Sequence, residues 1–193
     1  GDVSGDVTLL GAVSAVGENA TGVAIDGAVG GGVKIQGAVT ATGYRYTVPP
    51  PSKPATGEPR EGQTYLENLD ADDLLQGGPA VRIAGDVGKG VVFDTAPSYG
   101  SGGIDGDDDG DGVKNGDEDD DGDGKKNRED TDRDGDGILD AQETTASIRS
   151  FGGAAAVLVG STDSAITLGE VGTGNSAYGL INRGAIEASG VYK

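Results

Sequence analysis

The sequence predicts an all-β fold, a parallel β-solenoid (β-helix) carrying two loop insertions. A short Val-rich cassette recurs along the chain, its apolar residues alternate with period two, and setting aside two atypical stretches brings its copies to a near-constant spacing. The cassettes are VTLLGAV (7–13), VAIDGAV (23–29), VKIQGAV (33–39) and VRIAGDV (81–87), with weaker echoes in VVFDTA (91–96), AVLVGS (156–161) and ITLGEVG (166–172). Val23 and Ile25, or Val33 and Ile35, two positions apart, fall on one face of a strand. The segments are short and β-branched, which favours strand over helix. Gly at the fifth cassette position (Gly11, Gly27, Gly37, Gly85) is expected to make a bend that needs unusual φ.

With residues 44–79 set aside, Val81 follows Val23 by the same short step that separates Val157 from Val81 once residues 95–150 are also removed. That step, roughly 20–22 positions, suits one coil of a solenoid, which stacks equivalent strands and buries small aliphatics in a narrow interior. An antiparallel β-sandwich is the competing architecture, but sandwiches usually carry core aromatics and Asn-Gly hairpins, whereas here one cassette repeats. The predicted organisation is therefore solenoid coils at 1–43, a Pro-rich insertion with a short helix at 44–79, a coil at 80–94, an acidic insertion at 95–150 and coils at 151–193.

Composition narrows the chemistry. Among 193 residues there is no Cys, Met, Trp or His, while Gly reaches 38 and the aromatics are six Tyr and two Phe. Disulfides, thiolate sites and an imidazole base are thereby excluded. The net charge of −19 argues against nucleic acid, which demands a basic patch. No apolar run approaches the length of a membrane span or signal core, and the chain begins with Gly, so it reads as a processed or excised segment whose export signal lies outside it.

The first insertion opens with TVPPPSKPATGEPREG (47–62), which holds five of the seven prolines and cannot join a sheet ladder. Asp70 can cap a short helix at about 71–76, with Asp72 and Asp73 in its first turn, Leu74 and Leu75 turned to the solenoid and Gly77 ending it. Tyr44 and Tyr46 alternate around Arg45 and read as a sheet-edge pair covering the loop base.

The second insertion concentrates the charge. Residues 105–143 contain 18 acidic and five basic side chains, so −13 of the −19 lies there. Within it, Asp-x-Asp-x-Asp-Gly followed by an acid at position twelve occurs three times. The first copy supplies Asp107, Asp109, Asp111, Val113, Asn115 and Glu118; the second Asp119, Asp121, Asp123, Lys125, Asn127 and Asp130; the third Asp132, Asp134, Asp136, Ile138, Asp140 and Glu143. Calcium takes six to eight hard oxygens, so alternate side chains, the carbonyl at position seven, an oxygen donor at nine and a carboxylate at twelve can surround it, with Gly at six allowing the turn. Two carboxylates about 4 Å apart repel by roughly 4 kcal/mol at an effective dielectric near 20, which favours a bound cation over bare acids. A random acidic linker would not repeat this register. The expected cofactor is Ca²⁺, at about three sites.

Two resemblances follow from these residues. The cassettes, with TGVAIDGAVGGGVKIQGAVTATGYRYT and the closing AYGLINRGAIEASGVY, resemble Gly-rich passenger regions of bacterial autotransporters of the alphaproteobacterial type. The acidic loops begin at Asp107, Asp119 and Asp132, each directly or almost directly after the last, which leaves no room for EF-hand helices. This tandem arrangement is similar to thrombospondin type 3 repeats, whose calcium ions organise a chain with little regular secondary structure. The Cys residues of that family are missing here, so calcium would hold the insertion alone. Together the resemblances imply a non-enzymatic, secreted structural or adhesive protein, calcium-stabilised, at the outer surface of a Gram-negative bacterium or released from it. The partners implied are calcium, further copies in a homo-oligomer or end-to-end filament, and a surface glycan or host protein. The alternative is a polysaccharide-binding or polysaccharide-cleaving β-helix, with Asp26, Asp86 and Asp94 lining one face. No acidic pair there has a nearby Arg or Lys base, and aromatic platforms are scarce, so no enzyme activity is expected.

Overall fold

A computed structural model describes residues 1–43, 50–70, 76–172 and 174–190. The chain is all-β, with eleven strands among these residues: β1 (Val7–Leu9), β2 (Val13–Val16), β3 (Val23–Ile25), β4 (Val33–Ile35), β5 (Ala38–Thr42), β6 (Val81–Ile83), β7 (Val91–Phe93), β8 (Ser147–Phe151), β9 (Val157–Val159), β10 (Leu180–Asn182) and β11 (Ala185–Ser189). They form three sheets, in the orders β1-β4-β7-β10, β2-β5-β8-β11 and β3-β6-β9. Every pair among these strands is parallel. A fourth column of single bridges joins Val3, Val29, Val87 and Leu168, again in parallel.

The chain visits these columns in a constant cycle, which is compatible with a β-helix. One full circuit reads β3, Val29, β4, β5, and the next reads β6, Val87, β7, β8. Pairing is in register with the cassettes: Val7 meets Val33, Val33 meets Val91, and Val23, Val81 and Val157 share one column. The parallel ladders rule out the antiparallel sandwich.

Alternation determines what is inside. Val33 and Ile35 are buried while Lys34 between them is only partly covered. With Val39, Val81, Ile83, Val87, Val91, Phe93 and Ile148 they make a continuous aliphatic core, to which Phe93 adds the largest side chain. Each such residue contributes about 1.5–3 kcal/mol on full burial. Burial weakens toward the outer strands, where Val16, Leu158, Val159 and Ile186 are exposed.

The ladders correct three expectations. The uninterrupted coil is longer than the step expected from the trimmed sequence. Val7 pairs with Val33 and Val13 with Val39, and the Asp2 carboxylate accepts the Ala28 N–H across the same step of 26 residues. The excised ranges include coil residues: Gly77 already bridges Ala20, and Ser147–Ser150, placed by sequence in the second insertion, belong to β8. The corner glycines Gly11, Gly27, Gly37 and Gly85 do not have positive φ. For three of them the need is proximity: a Cβ on Gly37 would lie 1.9 Å from the Gly11 carbonyl oxygen, one on Gly85 2.0 Å from that of Gly27, and one on Gly27 2.4 Å from that of Gly1. A side chain at such a corner would push adjacent backbones apart. The expected helix and the Tyr44–Tyr46 pair fall on residues outside those described, apart from Gln76 at the helix end, which is not helical.

The corners permit a matched comparison. Gly11 and Gly37 occupy the same cassette position, but a Cβ on Gly11 meets nothing within 4 Å. Gly37→Ala should therefore cost about 1–3 kcal/mol or more through overpacking, with a clear fall in Tm by circular dichroism, while Gly11→Ala should leave Tm nearly unchanged. Equal effects of the two would contradict the stacking account.

Candidate metal centre

The acidic insertion leaves the sheet after Phe93 and returns at β8. Its two ends are joined directly, since the Ala146 N–H donates to the Asp94 carbonyl at 2.7 Å. Between them, regular structure is confined to short 3₁₀ turns at Gly103–Asp105 and Asp140–Gln142.

The first two loops fold alike. Asp107 accepts the N–H groups of Gly110 (2.8 Å) and Gly112 (3.0 Å), and Asp119 those of Gly122 (2.8 Å) and Gly124 (3.0 Å). Asp109 accepts from Asp111, and Asp121 from Asp123. Val113 and Lys125, at position seven, donate to Asp111 and Asp123. The sixth-position glycines Gly112, Gly124 and Gly137 have φ of 92°, 92° and 86°, as the sharp turn requires. Gly110, Gly122 and Gly135, at position four, are also left-handed, a second requirement that the motif did not reveal.

These turns bring carboxylates together. Asp107, Asp109 and Asp111 form one group whose oxygens lie within 4.8 Å of one another, and Asp119, Asp121 and Asp123 form a second. The third group is Asp94, Asp134 and Asp136, again within 4.8 Å. Each of the three could hold a metal ion. In the third, Asp94 from the end of β7 stands where the motif expected Asp132. Asp132 instead accepts from Asp136 (3.1 Å) and Gly137 (3.0 Å), and Ile138 donates to Asp136 at 2.7 Å.

The ninth positions have a different role from the one expected. Asn115 and Asn127 are buried, and their side-chain oxygens accept the N–H of Asp108 (3.0 Å) and Asp120 (3.1 Å). Their amide nitrogens continue the chain of bonds, from Asn127 to the Asn115 carbonyl (2.7 Å) and from Asn115 to the Gly103 carbonyl (2.9 Å). Asp140 accepts the Arg133 N–H at 3.0 Å and pairs with the Arg133 guanidinium at 2.6 Å. In all three loops, position nine thus ties down the backbone of position two and lies outside the carboxylate groups.

Tyr99 is the residue that sequence reading missed. Its hydroxyl donates to the Asn127 carbonyl at 2.8 Å, its own carbonyl accepts from Asn115 at 3.2 Å, and the Arg133 guanidinium lies 4.1 Å from its ring centroid. This one residue therefore touches all three repeats. No local pattern marks it, because Asn115, Asn127 and Arg133 each lie far downstream in the chain.

The twelfth positions diverge. Glu118 has its carboxyl pushed above the usual range by burial and by Asp109, Asp120, Asp111 and Asp107 around it. Asp130 instead accepts the Asp132 N–H and lies 3.6 Å from the Lys125 ammonium, which also contacts Asp123. The second loop thus carries its own counter-cation. Glu143 is buried and raised, first by burial and then by Asp134, Asp136 and Asp140, against a hydrogen bond from Gln36 that opposes the shift. Asp134 is raised by burial and Asp136, with Lys34 opposing.

The chain matches no family model, no curated protein and no solved structure. Among the described residues, no helix is long and apolar enough to cross a membrane. Asp26, considered with Asp86 and Asp94 for catalysis, pairs with Arg82 at 2.8 Å and lines a different cavity from Asp94. Asp86 accepts the Thr167 N–H.

Tyr99 provides the check on this architecture. Tyr99→Phe removes one hydrogen bond and should cost about 0.5–1.5 kcal/mol. Tyr99→Ala removes the ring beneath Arg133 as well and should make residues 100–143 markedly more sensitive to limited proteolysis while the strand signal in circular dichroism persists. Unchanged proteolysis of Tyr99→Ala would show that the loops hold together without it.

Proposed function

We propose that this chain is a non-enzymatic structural protein of the cell exterior: a β-solenoid stiffened by calcium, with Ca²⁺ taken up at about three sites in the acidic insertion. The observation that carries the reading is the convergence of like charges. Three groups of three carboxylates are gathered within 4.8 Å, in a segment whose positive side chains are mostly engaged elsewhere, Lys126 and Arg128 on Asp117 and Lys114 on Asp105. A turn that collects acids this closely becomes favourable when a hard divalent cation neutralises them.

The cyclic order of parallel strands supports the solenoid, and the resemblance to autotransporter passenger regions supports the location. On this reading β1, β2 and β3 form one open edge and β9, β10 and β11 the other. Parallel edges of this kind can receive further coils of the same chain or another copy, which favours a stalk or filament. An adhesive role toward a surface glycan or host protein is part of the proposal. It rests on the resemblance alone.

Removing calcium tests the reading. Extracellular modules bind calcium with Kd of about 10⁻⁴–10⁻³ M, so calorimetry in the millimolar range should register binding. A site filled at one hundred times its Kd stabilises the folded chain by about 2.7 kcal/mol. Chelation should then lower Tm and expose residues 105–143 to protease; if neither changes, calcium is not what holds the insertion. Electron microscopy of the native material should show elongated particles or filaments, and compact monomers would argue against assembly.

A further inference from the structure

We propose that Asp94, Asp134, Asp136 and Glu143 form a composite site for a hard divalent cation that clamps the acidic insertion to the sheet, with Lys34 as the built-in competitor for that position. The proposal rests on the reading of the acidic loops as calcium-binding and deepens it. It changes the third site from a self-contained loop into a joint between two parts of the fold.

The joint comes from the cassette. Its fourth position follows the strand and precedes the corner, and in-register stacking places Leu10, Gln36, Asp94 and Arg183 in one column, linked by the N–H of Gln36 to Leu9, of Asp94 to Ile35 and of Arg183 to Phe93. The insertion is spliced in immediately after Asp94. The two middle members of the column face it: Gln36 donates to Glu143, and Asp94 meets Asp134 and Asp136. Asp94 is 3% exposed and Gln36 0%, so both are held inside the boundary.

Two observations mark the place as a cation site and distinguish it from a chance cluster. First, Glu143 is only 7% exposed, and its Oε2 has no hydrogen-bond partner, although its other oxygen is held by Gln36. A buried, unpartnered carboxylate oxygen is costly unless something positive completes its surroundings, and the charges of Asp134 and Asp136 are near enough to act on this carboxyl. Second, a positive group already occupies the site: the Lys34 ammonium contacts Asp136 and lies 3.7 Å from Asp94. Burial works against that ammonium, but its hydrogen bond to Asp136 and the charges of Asp136, Asp94 and Asp134 outweigh burial and hold it protonated. Arg183 takes the other oxygen of Asp94 at 2.9 Å.

Lys34 is an incomplete solution. It brings one charge and a directional donor set to Asp94, Asp134 and Asp136, and it leaves Glu143 Oε2 unpaired. A divalent ion is bound through several oxygens at once and has no such shortfall. Lys34 sits at the second cassette position, on the outer face of β4, so its flexible stem can swing into solvent when the ion enters. Access is provided by a cavity of about 460 Å³ lined by Lys34, Asp94, Asp134, Asp136 and Arg183.

The test is calcium calorimetry on the full chain, comparing the unsubstituted protein with Asp94→Asn, Glu143→Gln and Lys34→Met. The proposal requires that Asp94→Asn and Glu143→Gln each lose one bound calcium while the remaining sites keep their affinity. Lys34→Met must tighten one site several-fold, a gain that misfolding cannot imitate. If the unsubstituted chain binds calcium and both acid substitutions retain the full complement at unchanged affinity, the composite site is overturned while the loop reading stands. If the unsubstituted chain binds none, both fall. Should the acid substitutions prevent folding, as judged by circular dichroism, Lys34→Met decides alone, and an unchanged affinity at every site overturns the proposal.

Discussion

Parallel, in-register stacking is the constraint on which the rest of this structure depends. When each strand lies directly over its counterpart, every position of the cassette becomes a column, and a column can tolerate only what its neighbours above and below allow. The first and third positions become an aliphatic interior. The fifth, at Gly27, Gly37 and Gly85, leaves no room for a Cβ against the backbone one circuit away. The fourth, at the mouth of the corner, changes from Leu10 to Gln36 to Asp94 to Arg183, and there polar side chains meet the acidic insertion.

The acidic insertion solves a different problem with a second repeat. Its alternating aspartates create repulsion, and the backbone answers it locally, since the first acid of each loop binds N–H groups of its own loop, both from glycines in the first two. Cohesion between loops comes from the Asn115–Asn127 ladder, the ring and hydroxyl of Tyr99, and the pairing of Lys126 and Arg128 with Asp117. Position nine serves the scaffold in each of the three loops. The amides of Asn115 and Asn127 donate and accept together, and in the third loop the Asp140 carboxylate accepts while Arg133 supplies the donors.

Much of this was legible in the sequence, and the limits have physical causes. Val23, Val81 and Val157 were correctly placed in one column because stacked strands repeat their apolar pattern, even across long insertions. The sixth-position glycines were legible because the turn is local. Asp94, Tyr99 and the unpaired oxygen of Glu143 were not, because each acquires its meaning from residues brought near only by the fold. The corner glycines show a subtler failure: the residue type was anticipated, but for a torsional reason where the actual cause is a neighbour one circuit away. The limits of β8 were misjudged for a related reason, since Ser147–Phe151 lacks the cassette and is defined by its pairing with β5 and β11.

The hydrogen bond from Ala146 to Asp94 has a consequence for how such a chain can vary. Because the insertion departs and rejoins at a single corner, the parallel sheets experience it as a point and not as a span. Closing a longer excursion across so small a gap costs entropy that grows only logarithmically with its length. Loops could therefore be gained or lost in whole repeats at this position without altering the path of the strands, which makes the corner a single attachment point whose appendage can change in size while the parallel sheets stay the same.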